Sequence, residues 1–242
     1  MTKKQEWFKD WFDTKYYHIL YQDRNDDEAH LFMRNLTSLL KLKKSTHILD
    51  LPCGKGRHSI FLNSLGYNVI GADLSKNSIK YAKRFENDTL KFEVHDMRHP
   101  FKTKFDAIFN LFTSFGYFDD AETNIKVLQN LKQGLKKDGV LVIDFMNVEY
   151  VKQHFIDHEV IVKNNIDFNI SRSIKDNFIV KDIRFTAEGK NYHYIERIKC
   201  LPLPILKEYL KAADLNLKHT FGEYDLTEFD PNNSSRLILI LE

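Results

Sequence analysis

The stretch His47-Ile48-Leu49-Asp50-Leu51-Pro52-Cys53-Gly54-Lys55-Gly56-Arg57-His58 decides how this chain reads. Its first residues form a short buried strand, the glycines make a tight turn, and a helix starts beyond them. Further on, Val69-Ile70-Gly71-Ala72 is a second apolar run that ends in Asp73. A strand, a glycine loop and an acid at the tip of the next strand make a nucleotide-binding half-site. Glycine lets backbone approach a ligand closely, and a carboxylate accepts hydrogen bonds from ribose hydroxyls.

The glycine spacing selects among nucleotides. A dinucleotide fingerprint needs G-x-G-x-x-G, and its third glycine would fall at Ser59. The form Asp50-Leu51-Pro52-Cys53-Gly54-Lys55-Gly56 instead resembles motif I of the class I S-adenosylmethionine (SAM) methyltransferases. Pro52 stands where D-x-G-x-G-x-G has its first glycine, a substitution that a strand-end turn tolerates.

The 242 residues are 43% hydrophobic, with 36 basic and 34 acidic side chains, enough for one large domain and its core. A net charge of +2 with dispersed basic residues leaves no electrostatic footprint for nucleic acid. The densest basic cluster, Lys41-Leu42-Lys43-Lys44, reads as a solvated helix end. With only Cys53 and Cys200, neither a disulfide framework nor a four-cysteine zinc site is open, and no metal is expected. The absence of a signal peptide or a long apolar span predicts a cytoplasmic protein without a membrane partner.

Trp7, Phe8, Trp11 and Phe12 recur at helical spacing and predict an amphipathic first helix, followed by a helix from about Asp26 to Leu42. Arg57 to Leu65 is predicted as a helix ended by Gly66, and Ser75 as the cap of the helix after the second strand. Leu90–Val94 and Phe105–Asn110 read as strands three and four. Glu122 to Lys137 reads as a helix, Asp138-Gly139 as a turn, and Val140–Phe145 as strand five. Continuous apolar strands alternating with helices imply an α/β, doubly wound, mostly parallel sheet with helices on both faces. From about 160 to 200 the pattern alternates, with turns near Lys163-Asn164-Asn165, Lys175-Asp176-Asn177 and Glu188-Gly189-Lys190, so three or four antiparallel strands are expected as an insertion. A helix over Leu203–Ala213 and strands near Leu217–Tyr224 and Arg236–Leu241 bring the main sheet to seven strands. The organisation expected is a single Rossmann-like domain over 1–242, with a helical cap at 1–44.

Tyr17-x-x-x-Tyr21 with Glu28 downstream, Asp96-Met97-Arg98, and Thr113-Ser114-Phe115-Gly116-Tyr117 narrow the resemblance to small-molecule N-methyltransferases. The sugar-amine N,N-dimethyltransferases are nearest, and the glycine N-methyltransferases stand further off. The resemblance implies SAM as cofactor and a role for each matching residue. Pro52, Cys53, Gly54 and Gly56 would pass under the methionine moiety, and Asp50 would orient the loop or engage the amino group. Asp73 would take the ribose hydroxyls, Leu74 one adenine face, Asp96 the adenine amino group and Met97 the ring. Asn110 completes the cofactor set, and Tyr17 and Tyr21 match the N-terminal tyrosine that closes over SAM in that family. Phe112, Ser114, Tyr117 and Asn147, after strands four and five, are the expected acceptor-pocket residues. No obligatory base stands out, and His58 and His95 read as structural or exposed.

The expected reaction is an in-line methyl transfer to a small molecule, with nitrogen favoured over oxygen. After strand four the chain lacks the Asn/Asp-Pro-Pro-Tyr/Phe of enzymes acting on glutamine or adenine nitrogens, and the cysteines of RNA cytosine-C5 enzymes are missing. A methyltransferase acting on RNA or protein, a SAM-binding protein without turnover, and a dehydrogenase remain as alternatives. The inserted sheet reads equally as a lid or as a homodimer contact.

Overall fold

A computed structural model describes residues 6–23 and 26–242; positions 1–5 and 24–25 of the expected cap lie outside the described residues. The chain opens with α1 (Trp7–Phe12), α2 (Lys15–Leu20) and α3 (Asp26–Leu39). Then come β1 (His47–Asp50), α4 (Arg57–Ser64), β2 (Asn68–Asp73), α5 (Lys76–Ala82), β3 (Leu90–Val94), β4 (Phe105–Asn110), α6 (Ala121–Gly134) and β5 (Leu135–Met146). After α7 (Val148–Gln153) follow β6 (His158–Lys163), β7 (Ile166–Lys175), β8 (Phe178–Ala187) and β9 (Lys190–Lys199). The chain closes with α8 (Leu203–Ala212), β10 (Leu217–Phe221) and β11 (Arg236–Leu241).

The expected doubly wound sheet forms, with seven strands in the order β3-β2-β1-β4-β5-β11-β10. β1 to β5 run parallel, β11 is antiparallel to β5, and β10 is antiparallel to β11. Successive residues of the central strands serve opposite faces, because strand side chains alternate. Leu49, Ile108, Ile143 and Leu239 join the core under α6 and α8. Ile48, Phe109, Val142 and Ile238 join the core under α3 and α4. The strand order reverses between β1 and β4, and open α/β sheets hold ligands at the carboxyl ends beside such a switch.

Local signals place the helix ends. Gly66 at φ +93° receives the chain after α4, its N–H bonding to Asn63 O at 2.8 Å, while Tyr67 N–H reaches Leu62 O at 3.4 Å. Ser75 Oγ accepts from Ser78 N–H and starts α5. Two helices end earlier than their periodicity predicts. α3 stops at Leu39 because the chain enters the left-handed region at Lys41 (φ 48°). α6 stops at Gly134, and Leu135 pairs at once with Phe105, so Asp138-Gly139 becomes an irregularity inside β5 rather than a turn before it.

The insertion contains four antiparallel strands in the order β6-β7-β8-β9. Its hairpins turn at Asn164-Asn165, Asp176-Asn177 and Glu188-Gly189, all with positive φ, the two-residue turns that match strand twist. One face of this sheet is covered by the N-terminal helices: Trp11, Tyr16 and Leu20 pack with Phe168, Ile170, Ile183 and Phe185 in a separate core. Among the described residues no helix is long and apolar enough to cross a membrane.

Candidate active site

A cavity of about 790 Å³ lies at the carboxyl ends of β1, β2 and β4, with α1 and α2 on its far side. Its floor is the glycine loop. Leu51 N–H pairs with Phe109 O at 2.9 Å, the Leu51–Pro52 bond is cis, and Cys53 N–H returns to Ala72 O at 2.9 Å. The two glycines of the loop serve different ends. Gly54 (φ 55°) lines the cavity, and a Cβ there would meet nothing within 4 Å. Gly56 (φ 85°) sits behind the wall, where a Cβ would come within 2.6 Å of the Phe92 ring.

Asp50 is also behind the wall, buried, and accepts a hydrogen bond from Ser59 Oγ at 2.6 Å. Burial pushes its carboxyl up to about 7; the Ser59 hydroxyl opposes the rise and the neighbouring Asp73 adds to it. The residue that displaces the third glycine of a dinucleotide fingerprint therefore supports the motif's acid, a partnership the spacing did not reveal.

Asp73 stands at the cavity edge. Its Oδ2 accepts from Gly54 N–H and its Oδ1 from Ser75 N–H, each at 2.8 Å. Burial raises its carboxyl, and those N–H groups oppose the rise. A carboxylate offers about four lone-pair sites, so two accepted bonds leave room for a ribose diol. Asp13, from the end of α1, accepts from Ser75 Oγ, from Asn77 N–H at 3.0 Å and from Asn77 Nδ2 at 2.9 Å. It lines the cavity and joins the cap to the start of α5, a role with no sequence signal.

Leu74, Asp96 and Met97 continue the wall. Asp96 accepts from Arg98 N–H and Arg98 Nε, both at 3.0 Å, and Arg98 also pairs with Glu6. Burial acts to raise the Asp96 carboxyl, but Arg98 outweighs it and holds the group below its ordinary value.

The opposite wall is aromatic. Tyr17, Tyr21, Phe112, Ser114 and Tyr117 all line the cavity. Tyr117 packs among Trp7 (5.3 Å between ring centres), Phe12 (5.6 Å) and Phe8 (6.2 Å), and its hydroxyl donates to Thr113 O at 2.9 Å. Phe112 and Thr113 adopt φ of 57° and 59°, a left-handed pair that side chains disfavour. The fully buried Asp144 of β5 holds them: Phe112 N–H donates to its Oδ2 at 2.7 Å and Thr113 N–H to its carbonyl at 2.9 Å. Arg236 Nε closes the unit on Asp144 Oδ1 at 2.8 Å and its Nη2 on Thr113 Oγ1 at 3.0 Å.

Besides Asp50 and Gly56, two more expected site residues stand off the cavity. Asn147 is the cap of α7, its Oδ1 accepting from Glu149 N–H and its Nδ2 donating to the Pro231 and Ser234 carbonyls. Asn110 is fully buried, donates to Leu51 O at 2.8 Å and supports the loop from behind. Neither lines the cavity; a polar residue at a strand end reads the same whether it caps a helix or faces a ligand. Conversely, His58 and His95 do reach the wall, the former stacked on Phe112 with 4.5 Å between ring centres. His18 and Arg57, neither singled out from the sequence as a site residue, reach it as well.

The chain belongs to the methyltransferase domain family, whose pattern matches residues 42–199. It is 29% identical over 147 residues to the glycine/sarcosine N-methyltransferase of Halorhodospira halochloris, covering 57% of this chain and 53% of that protein. The chain thus spans about half the length of that relative. In structure it is similar to a SAM-dependent methyltransferase from Clostridium acetobutylicum, with a TM-score of 0.79, 18% identity and coverage of 94% and 95% of the two chains. A sugar N-methyltransferase from Streptoalloteichus sp. superposes with a TM-score of 0.71, at 19% identity and 93% and 92% coverage. The chain thus carries a methyltransferase domain, and the open cradle at Gly54 beside the spare acceptor sites of Asp73 suits SAM as its cofactor.

Proposed function

We propose that this enzyme methylates an amine nitrogen of a small molecule. The observation that carries the reading is the aromatic wall and modest volume of the site. The α1–α2 cap and the loop after β4 wall the aromatic side, within a cavity of about 790 Å³. That volume lies in the range of roughly 300–1,000 Å³ usual for small-molecule sites and is to be shared by SAM and the acceptor. The nitrogen preference is supported by the glycine/sarcosine and sugar N-methyltransferases among the similar proteins, and by aromatic faces that favour a cationic amine.

SAM, when bound, supplies an electrophilic methyl group on a sulfonium. In this reading Gly54 and the Asp50-supported loop receive its methionine part, Asp73 the ribose hydroxyls, and Asp96, Leu74 and Met97 the adenine. Phe112, Ser114 and Tyr117 exclude water and hold the acceptor in line, and we assign Tyr17 and Tyr21, which the resemblance put over SAM, to the same wall; such positioning is worth several kcal/mol of the barrier, up to about 7–11. Among the wall histidines, His18 is the one we assign to take the proton of an ammonium acceptor, since His58 Nε2 already accepts from Arg57 at 3.0 Å. One catalytic domain over 1–242, with the segment to residue 44 as its cap, fits this assignment. The free thiols Cys53 and Cys200 suit the cytoplasm as its place of action.

The test is purified protein with methyl-labelled SAM and a size-fractionated cell extract, followed by a panel of amino acids and amino sugars. Label in an N-methylated small molecule is the expected result. Label confined to RNA or protein overturns the reading.

A further inference from the structure

β9 of the inserted sheet touches both sides of the aromatic wall. At one end, Lys199 N–H donates to Gly116 O at 2.8 Å and Lys199 Nζ to Asp119 O at 2.6 Å, while Arg197 pairs with Asp119 at 2.6 Å. These contacts hold the loop that carries Ser114 and Tyr117. Three residues earlier stands Glu196, a buried carboxylate far from any sequence motif. It accepts from Trp11 Nε1 of α1 at 2.7 Å and from the Tyr21 hydroxyl at the end of α2 at 2.8 and 3.0 Å. Lys181 of β8 completes the cluster, 3.2 Å from Glu196 Oε2 and donating to Tyr21 Oη at 2.7 Å.

A buried carboxylate is costly unless its charge is compensated and its lone pairs are used, and here both conditions are met. Burial alone would raise its carboxyl; Lys181, Trp11 and Tyr21 outweigh that and keep it below the ordinary value. An apolar residue would seal the sheet against the cap as well. The carboxylate adds direction: its oxygens aim the Tyr21 hydroxyl, and Tyr21 lines the cavity while Glu196 itself does not.

We propose that Glu196, with Lys181, is a positioning residue for methyl transfer. It acts through Tyr21 and ties the cap to the inserted sheet, so that the acceptor wall is complete only when the two are docked. This deepens the proposed function and rests on the acceptor occupying the aromatic side.

Two sets of measurements separate the proposal from that reading. With the acceptor identified above, Glu196→Gln and Tyr21→Phe should each lower kcat by roughly tenfold or more with SAM Kd within about threefold, and the double variant should be no worse than either alone. Multiplying effects, kcat within about twofold of wild type, or kcat, SAM affinity and stability all falling in proportion would overturn it. The second set needs no acceptor. Both tryptophans, Trp7 and Trp11, lie in α1, so intrinsic emission reports on the cap. Glu196→Gln and Lys181→Met should each red-shift it and speed tryptic cleavage after Lys15, which is exposed in α2. Unchanged emission and cleavage in both variants would defeat the docking role whatever the acceptor proves to be.

Discussion

At the cofactor end of the cavity the polar contacts that shape the glycine loop and its two acids join residues close in sequence, with Asp13 of the cap tied in from afar. Ser59 reaches Asp50 across nine positions, Gly54 reaches Asp73 across nineteen, and Ser75 reaches Asp73 across two. At the aromatic end they reach across long stretches of the chain: 185 positions from Trp11 to Glu196, 175 from Tyr21 to Glu196, and 92 from Arg236 to Asp144. The first set is formed within β-α units that build their own turns and caps. The second exists only once the cap, the inserted sheet and the final strand have come together. Cofactor binding and acceptor positioning should therefore respond separately to substitution.

The largest expected effect falls on the long-range side. Arg236→Met should cost about 3–5 kcal/mol in urea unfolding, because it strands the Asp144 carboxylate in the core. The same change should loosen the left-handed pair at Phe112-Thr113. A loss below about 1 kcal/mol would show that the ion pair is dispensable and would break the contrast. Gly56→Ala tests the local side. Its strained φ and the Phe92 ring 2.6 Å from the new Cβ should together cost about 2–5 kcal/mol, read as a lowered Tm.

Asp50 sharpens the comparison through pH. Its folded pKa, raised from 3.8 to about 7, lies above the unfolded value. Its contribution to stability is therefore fully present below pH 3.8 and is lost as pH rises through about 7. Asp50→Asn should flatten this slope and raise the stability of the SAM-free protein at pH 8 by about 1–3 kcal/mol, as urea melts at pH 5 and 8 would show. A slope identical to wild type would remove Asp50 as its source. The smallest effect in free energy is Asp73→Ala, expected to weaken SAM binding by about tenfold or more, or about 1.4 kcal/mol, in calorimetry. Unchanged affinity would sink the ribose assignment.

Legibility in the sequence followed the same division. β1, the glycine loop, Asp73 and the Ser75 cap were readable because each is a local conformational demand written in adjacent residues. The three hairpin turns were readable for the same reason, since Asn, Asp and Gly tolerate positive φ. Asp13, Glu196, Asp144 and Arg236 were not, because a single charged residue on a strand or helix end carries no sign of its partner. Asn110 and Asn147 show the converse: their position suggested ligands, and neighbouring carbonyls took their amides.

The sequence by itself determined the doubly wound sheet, the nucleotide-type loop and the SAM motif, since these depend on periodicity and on glycines within a few residues of one another. Only the tertiary structure decided which aromatic residues face the cavity, what holds them, and that the inserted sheet is joined to the N-terminal cap through a buried carboxylate. The physical reason is that burial and hydrogen bonds across 160 or more positions are properties of the packed chain; no local window of residues contains both partners.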